Sequence, residues 1–421
     1  MATNAKRIFF SVGEPSGDLH GANLIRSIRA RTGDVEFVGY GGPLMEEAGC
    51  RLHTDLTALA VMGIWPVLAS IHKFIRLAFQ ANRYFREERP DAVVLIDFPG
   101  FNWWIARRAK AHGIPVIYYV PPQLWGWLSY RVKKMRRFVD HVLCALPFEQ
   151  TWFAKRNCNA TFVGHPFFDE VRRQEVDETL LAELRDAPGP LVTLLPGSRT
   201  QEVETNLPWF LETARVIRET IPNARFAVAA YKPHHGRRAE EMVAQAGIDV
   251  PVYVRRTPEL IRAADVCLAT SGSVSLELLH HLKPTVIGYR ITRFNNYLQD
   301  KLRNVPYITL VNLLSTGRIE RDRPSEAAHP LCDDPRLLFP EYLTHVDCTR
   351  IAAGHLTQWL TDATARNALV AKLERLRDEV GRPGASERAA EYVLQVLGVK
   401  TAELPSPHYL PGAAVPATMK G

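Results

Sequence analysis

Short apolar runs rich in Val, Ile and Phe alternate with stretches of helical periodicity along most of this 421-residue chain. That alternation is the signature of parallel βα units. Strands are expected near 7–12, 36–39, 92–97, 115–120, 141–146 and 161–164, with helices such as 20–31 and 102–112 between several of them. The runs are continuous rather than alternating, which implies strands buried on both faces. After the polar, proline-punctuated stretch 166–190 the pattern begins again, with strands near 191–195, 225–230, 251–254, 266–270, 285–289 and 308–311. Helices are expected over 349–381 and 386–397. Two such series predict an α/β fold of two doubly wound, Rossmann-like domains facing a central cleft, with ligands at the carboxyl ends of the strands. Residues 1–186 form the first domain and 187–380 the second. Residues 381–403 are expected to form a helix returning to the first domain, and 404–421, with four prolines, a flexible tail.

A chain this long exceeds what one hydrophobic core organises. Its 46% hydrophobic and 23% charged residues, with 29 Pro and 26 Gly, exclude low-complexity, collagenous and coiled-coil classes. The net charge of +7 favours anionic partners. Cysteines 50, 144, 158, 267, 332 and 348 form no CxxC pair, so neither a zinc knuckle nor a disulfide framework is expected, and a reducing cytosol is the default. The apolar run 8–12 is cut short by Gly13 and Glu14, so no secretory segment is read. The uncharged stretch 56–71 contains Gly63 and Pro66 and falls short of the ~20 residues that cross a bilayer.

Two turns have the makings of anion cradles. Leu195-Pro196-Gly197-Ser198-Arg199 leads from a buried strand into a helix. Ser198 and Gln201 have capping-box spacing, and a helix N-terminus with the Arg199 fork suits a phosphate. An ordinary βα turn with an exposed Arg is the competing reading. Thr270-Ser271-Gly272-Ser273 repeats the arrangement, its small residues letting backbone amides approach a diphosphate, and Glu277, about one turn into the next helix, is placed to accept ribose hydroxyls. A capped helix with a solvated Glu competes there. Together the two turns read as a nucleotide-sugar half.

In the first half, Gly13-Glu14-Pro15-Ser16-Gly17-Asp18-Leu19-His20-Gly21 gathers Glu, Ser, Asp and His in the first strand-to-helix loop. It matches neither GxGxxG nor GxxxxGK[ST]. His20 is a base or a packed residue at the helix start. Asp97, in Ile96-Asp97-Phe98-Pro99-Gly100-Phe101-Asn102, falls at a strand's carboxyl end, where it is a cleft residue or a helix cap. Residues 118–127 bring Tyr118, Tyr119, Trp125 and Trp127, pocket lining or core filling. Two segments bear on membranes: the helical apolar spacing of 68–79 with Lys73, Arg76, Arg83 and Arg86 around it, and the five cations Arg131, Lys133, Lys134, Arg136 and Arg137 just after the tryptophans. An anionic membrane surface ranks above nucleic acid, for which no signature is found. No HExxH and no Asp-x-Asp pair occurs, so no metal is expected, and the leaving group falls to helix termini and Arg.

Taken in order, the 13–18 loop, 37–43, 61–63, 96–99, Trp125, 147–149, 162–166, 195–199, Ser271-Gly272 with Glu277, and Val311-Asn312-Leu313-Leu314 resemble the lipid-A-disaccharide synthase family, collinearly from about residue 7 to 398. The resemblance implies a GT-B fold and an inverting, metal-independent and cofactor-free glycosyltransferase. Its reaction would move 2,3-diacylglucosamine from UDP to 2,3-diacylglucosamine 1-phosphate, releasing UDP at the cytoplasmic face of the inner membrane. It places the acceptor and lipid side in the first domain and UDP in the second. Asp97, His20 or Glu14 would be the base. Ser16, Gly17 and Asp18 would meet the acceptor side; Gly197, Ser198, Arg199, Ser271, Gly272 and Ser273 the diphosphate; Glu277 the ribose; and Asn312 would also bind substrate. The 61–71 region would touch acyl chains or bilayer, and a homodimer is left open. The chain departs from the family's pattern at Gly100, where a second Asp is usual, at Tyr119, where His is usual, and at Pro66, where an acidic residue is usual. A binding paralogue without turnover and a UDP-sugar 2-epimerase are the alternative functions.

Overall fold

The computed structural model describes residues 5–60, 71–293, 297, 303–321 and 336–399. The expected features at 61–70, Pro66 among them, Cys332 and the tail from 400 lie outside these residues. Strands β1 (Lys6–Val12), β2 (Val35–Gly41), β3 (Arg51–Asp55), β4 (Ala92–Ile96), β5 (Val116–Tyr119), β6 (His141–Cys144) and β7 (Ala160–Phe162) form one sheet, in the order β3-β2-β1-β4-β5-β6-β7. Strands β8 (Leu191–Leu195), β9 (Arg225–Ala230), β10 (Val252–Val254), β11 (Val266–Ala269), β12 (Thr285–Arg290) and β13 (Glu341–Thr344) form the other, in the order β10-β9-β8-β11-β12-β13. In each sheet the chain winds outward from a central strand, then returns to that strand's other side. The order therefore reverses between β1 and β4 and again between β8 and β11, the switch points where α/β sheets bind ligands. By internal contacts the chain divides into two compact units, one holding residues up to Ile117 together with those from Ser386 on, the other Tyr118–Ala385.

Burial on both faces is plain in the second sheet. Val192 and Leu194 join Leu207, Phe210 and Trp359 in one core. Leu191 and Leu195, which point the other way, join Leu276, Leu279 and Phe339 in another. In the first unit, β4 is buried along its whole length and is in contact with helix Pro15–Arg29 and helix Pro99–Ala111. Helix Ala385–Leu397 is tied to this unit by an ion pair of 2.9 Å between Glu391 and Arg31.

The structure corrects three expectations. Residues 308–311 are not a strand: the Ile308 and Thr309 amides donate to Glu341 at 2.7 and 3.1 Å, and helix Leu310–Thr316 begins. The place beside β12 is taken by β13. The expected helix 349–381 is two, Thr349–Thr361 and Ala363–Val380, because Asp362 stops the first and caps the second by accepting the Thr364 and Ala365 amides. Finally, β3 was not foreseen. It is an edge strand whose exposed positions alternate with half-buried ones, without the apolar run of a central strand. Cys50, Cys144, Cys158 and Cys267 are buried free thiols, and Cys348 is buried.

Candidate functional site

The first switch point is built by register. Val12 pairs with Ile96, so the turns that follow β1 and β4 emerge side by side. Gly13 lies against the Phe98 ring so closely that a Cβ there would sit 2.3 Å from a ring carbon. Asp97 and Phe98 both have φ near 45°, two successive non-glycine residues in the left-handed region. Backbone of that kind costs energy and persists where its surroundings impose it. Asn102 does so here. Its Nδ2 donates to the carbonyls of Ser11, Ile96 and Asp97 at 3.2, 3.2 and 2.7 Å, while its Oδ1 accepts from Ser11 Oγ at 2.7 Å. Asn102 belongs to the 96–102 motif, yet its role was not anticipated.

This turn brings together the three residues read as candidate bases. Burial raises the Asp97 carboxyl above its usual range; the Phe98 backbone N–H, nearby His20 and a side-chain hydrogen bond with Glu14 act in the opposite direction. Glu14 stands at the N-cap of helix Pro15–Arg29, and His20 is buried near that helix's start. The neighbouring Asp18 is committed to the fold: its carboxylate accepts the Gly42, Leu44 and Met45 amides at 2.9, 3.0 and 3.1 Å and caps helix Pro43–Glu47. Gly17 lets the helix press onto β1, since a Cβ would lie 2.9 Å from Val12 Cγ1. Ser16 is exposed. Gly100 is exposed on the first turn of helix Pro99–Ala111, and a Cβ there would meet nothing within 4 Å.

The second switch point lies at the ends of β8 and β11, where Leu195 pairs with Ala269. Asn206, also not anticipated, ties three strand ends. It donates to Pro196 O and Thr270 Oγ1 at 3.4 and 3.3 Å and accepts the Arg290 amide at 2.9 Å. The expected Ser198/Gln201 cap is corrected to Arg199 and Glu202. Buried Glu202 accepts the Ser198 and Arg199 amides at 3.0 and 3.2 Å, and its other oxygen accepts Arg199 Nη1 at 2.9 Å. Those two amides are thereby occupied, while the Arg199 side chain, 80% exposed, stays oriented and accessible. Gly197 has φ 127°, and a Cβ would sit 2.5 Å from Glu202 Cβ. The signal for Glu202 was a glutamate three residues after the cap.

Ser271 Oγ donates to Ile308 O at 2.8 Å; Gly272 and Ser273 are exposed beside it, ahead of helix Val274–His280. Glu277 is buried, with Oε1 lacking a hydrogen-bond partner. Burial pushes its carboxyl up to about 7, opposed by Arg262 and reinforced by Glu259. Asn312 is fully buried and engaged at both amide atoms. Nδ2 donates to Phe339 O and Glu341 Oε2 at 2.6 and 2.9 Å, and Oδ1 accepts the Leu338 and Phe339 amides at 3.2 and 3.0 Å. In this structure it braces 309–313 against 338–341. Trp125 is held likewise, donating Nε1–H to buried Glu149 at 3.0 Å, and Tyr119 is buried.

Two surfaces carry the basic and aromatic residues. In the first unit, Ile71, Ile75 and Phe79 lie exposed at i, i+4 and i+8 of helix Ile71–Glu87, and Arg108 stacks on both Phe79 and Trp104 at 5.6 and 5.4 Å from the ring centres. In the second, Lys133, Lys134, Arg136 and Arg137 are exposed on helix Val132–Phe138 beside exposed Tyr130. Among the described residues no helix is long and apolar enough to cross a membrane.

The lipid-A-disaccharide synthetase family model matches residues 8–326. A lipid-A-disaccharide synthase of Alkalilimnicola ehrlichii is 37% identical over 331 residues, 77% of this chain and 86% of that one. One from Trichlorobacter lovleyi is 32% identical over 397 residues, 93% and 98% of the two chains. Among solved structures, the Neisseria meningitidis UDP-GlcNAc 2-epimerase bound to UDP-GlcNAc superposes with a TM-score of 0.59 at 11% identity, over 92% of this chain and all of that one. The calicheamicin glycosyltransferase CalG4 does so with 0.54 at 14%, over 93% and 98%. At such identities the likeness is one of fold, and that fold is GT-B.

Proposed function

As a member of the lipid-A-disaccharide synthase family the chain is a hexosyltransferase that joins two acylated glucosamines with release of UDP, and we propose that Asp97 is the base of that transfer. The substrates are UDP-2,3-diacylglucosamine and 2,3-diacylglucosamine 1-phosphate. In an inverting displacement the acceptor hydroxyl oxygen bonds to the donor's anomeric carbon, its proton passes to the base, and the bond from that carbon to the diphosphate breaks. The observation that carries the assignment is the strained turn at the end of β4, which holds a carboxyl at 97 while position 100 has none. His20 stands nearby.

Leaving-group stabilisation falls to the second switch point. Arg199, oriented by Glu202, and the small turn 271–273 meet the diphosphate, and Glu277 accepts from the ribose. Asp18 and Asn312, spent on the chain's own backbone, support the site from behind. With no Asp-x-Asp pair in the sequence, the charge that develops on UDP is met by Arg199 and backbone dipoles, and the transfer is metal-independent. The exposed Ile71, Ile75, Phe79 and Trp104 with their cations, and the basic helix Val132–Phe138, suit peripheral binding to an anionic bilayer. The test is incubation of purified protein with both acylated substrates in EDTA, following disaccharide and UDP together. Equal formation of the two supports the reading; a strict requirement for added magnesium or manganese overturns its metal-free part, and the absence of both products overturns it entirely.

A further inference from the structure

We propose that Glu341 is a positioning residue for leaving-group stabilisation: it fixes Ile308, whose carbonyl holds Ser271 and with it the turn 271–273. The proposal rests on the reading of that turn as a diphosphate contact. Ile308 is bonded at both of its backbone polar groups. Its N–H donates to Glu341 Oε1 at 2.7 Å, and its carbonyl accepts Ser271 Oγ at 2.8 Å. The other Glu341 oxygen accepts the Thr309 amide at 3.1 Å, the Thr309 hydroxyl, and Asn312 Nδ2 at 2.9 Å. Glu341 itself is buried at the start of β13, where it pairs with Ile287 of β12.

Residues 304–309 belong to no strand or helix, so no ladder of backbone bonds fixes Ile308, and the Glu341 carboxylate does that work instead. The turn has mostly local bonds of its own. The Ser275 and Leu276 amides donate to the Gly272 and Ser273 carbonyls at 3.1 and 3.0 Å, and Ser275 Oγ donates to Gly272 O at 2.8 Å, all of which move with the turn. Thr270, just before it, is tied to the end of β8 through Leu195 O and Pro196 O. The Ser271 hydroxyl ties the turn toward β13. Its one hydrogen goes to Ile308, so what the turn offers a diphosphate is backbone, and the hydroxyl's part is to aim it. Charge developing on a leaving group is stabilised by donors fixed beforehand, which is why an anchor behind the turn bears on the chemistry. The anchor has to be a carboxylate. A carboxamide has one acceptor atom, so its NH₂ would face either the Ile308 N–H or the Thr309 N–H and Asn312 Nδ2.

The test measures UDP and uridine affinities for wild type, Glu341→Gln, Ser271→Ala and the double variant, with Tm as a check on folding. Ser271→Ala cuts the link at the turn and leaves the Glu341 bonds in place, so it judges the proposal even if Glu341→Gln fails to fold. Each single variant should lose about threefold to tenfold in UDP affinity, the scale of one neutral hydrogen bond, while uridine affinity changes by less than about twofold. Both variants cut one link, so the double variant should lose no more than the larger single loss. Unchanged UDP affinity in either folded single variant, equal losses for UDP and uridine, or losses that multiply in the double variant overturn the proposal. Gly272→Asp judges the underlying reading, since a Cβ at 272 meets nothing within 4 Å and a carboxylate there should repel a diphosphate. If it weakens UDP binding and the two link variants do not, the turn meets the diphosphate but Glu341 does not position it. If it leaves UDP affinity unchanged, the reading of the turn fails and the proposal with it.

Discussion

The Asn102 side-chain amide donates to the Asp97 carbonyl at 2.7 Å and so fixes a residue whose φ of 45° few non-glycine residues adopt. The same Nδ2 also reaches the carbonyls of Ser11 and Ile96, so one side chain sets β1, β4 and the turn between β4 and its helix. The geometry of the proposed base is thereby made part of the core.

Asp97→Asn should keep this backbone and lose the base. The expected result is a fall of roughly 10²- to 10⁴-fold in transfer, the scale of general base catalysis, with UDP affinity unchanged. Rate and UDP binding measured on the same preparation check it. Wild-type turnover in the variant would move the search to Glu14 and His20.

Arg199→Ala should weaken UDP binding. Charge-assisted contacts to phosphate are worth about 1.5–3 kcal/mol, and a side chain 80% exposed belongs at the lower end, so a loss of roughly tenfold is expected by calorimetry. Glu202→Ala frees that guanidinium and leaves the Ser198 and Arg199 amides without their acceptor. It should reproduce part of the affinity loss and destabilise the helix start by about 1 kcal/mol.

Much of this arrangement was legible in the chain. Continuous apolar runs located β1, β4, β8, β9 and β11 nearly to the residue, because strands buried on both faces leave no other solution. The carboxyl ends of those strands then located Asp97, Arg199 and the turn at 271. Strands β3 and β13 escaped because an edge strand needs no apolar run, and the 308–311 segment read as a strand because Ile, Leu and Val satisfy either period over four residues. Asn102 and Asn206 escaped for another reason: their work is done by hydrogen bonds to groups of other strands brought near by the fold, which no local spacing announces. Glu202 was announced by its place three residues after the cap, and the capping box was read one residue early. The hydrogen bonds of Asp18 and Asn312 to backbone remote in sequence have the same origin as those of Asn102 and Asn206.

UDP binding should depend on pH through Glu277. Its carboxyl, ordinarily ionised well below neutrality, is pushed up to about 7 by burial, so the free protein holds that proton at pH 6. Accepting two ribose hydroxyls requires the carboxylate, so affinity should fall as pH drops through about 7, and binding near pH 6.5 should release a proton to buffer. Glu277→Gln should remove that release while UDP's own titration remains. The same shift bears on folding: the folded chain binds more protons than the unfolded one between the two values, so this group's contribution to stability declines as pH rises across that window. Calorimetry in buffers of differing ionisation heat separates the terms.

Glu149→Gln should be destabilising although it removes a buried charge. One Glu149 oxygen accepts the Ala145 and Leu146 amides, each at 3.0 Å, and the other accepts Trp125 Nε1 at 3.0 Å. A carboxamide has a single acceptor atom, so its NH₂ must face an N–H whichever way it is turned. The expected cost is about 1–3 kcal/mol, a buried donor left unsatisfied, read as a lower Tm at pH 8. An unchanged Tm would show that Trp125 finds another partner.

Gly100→Asp tests whether the end of β4 can host a base at a second position. The site is exposed, a Cβ there meets nothing within 4 Å, and it lies on the first turn of helix Pro99–Ala111. A negative charge at a helix N-terminus is stabilising by about 0.3–1 kcal/mol, so the variant should fold and melt no lower than wild type. Its catalytic effect depends on Asp97. In the wild-type background a base is already present and turnover should change little. In the Asp97→Asn background the new carboxylate stands three residues along the chain, at an exposed position. It should restore at least about tenfold of the lost rate, with a pH profile whose acid limb sits lower, because an exposed Asp ionises near its ordinary value. If the double variant is as inactive as Asp97→Asn alone while binding UDP normally, only position 97 reaches the acceptor hydroxyl, and the strain in its backbone is what aims it there.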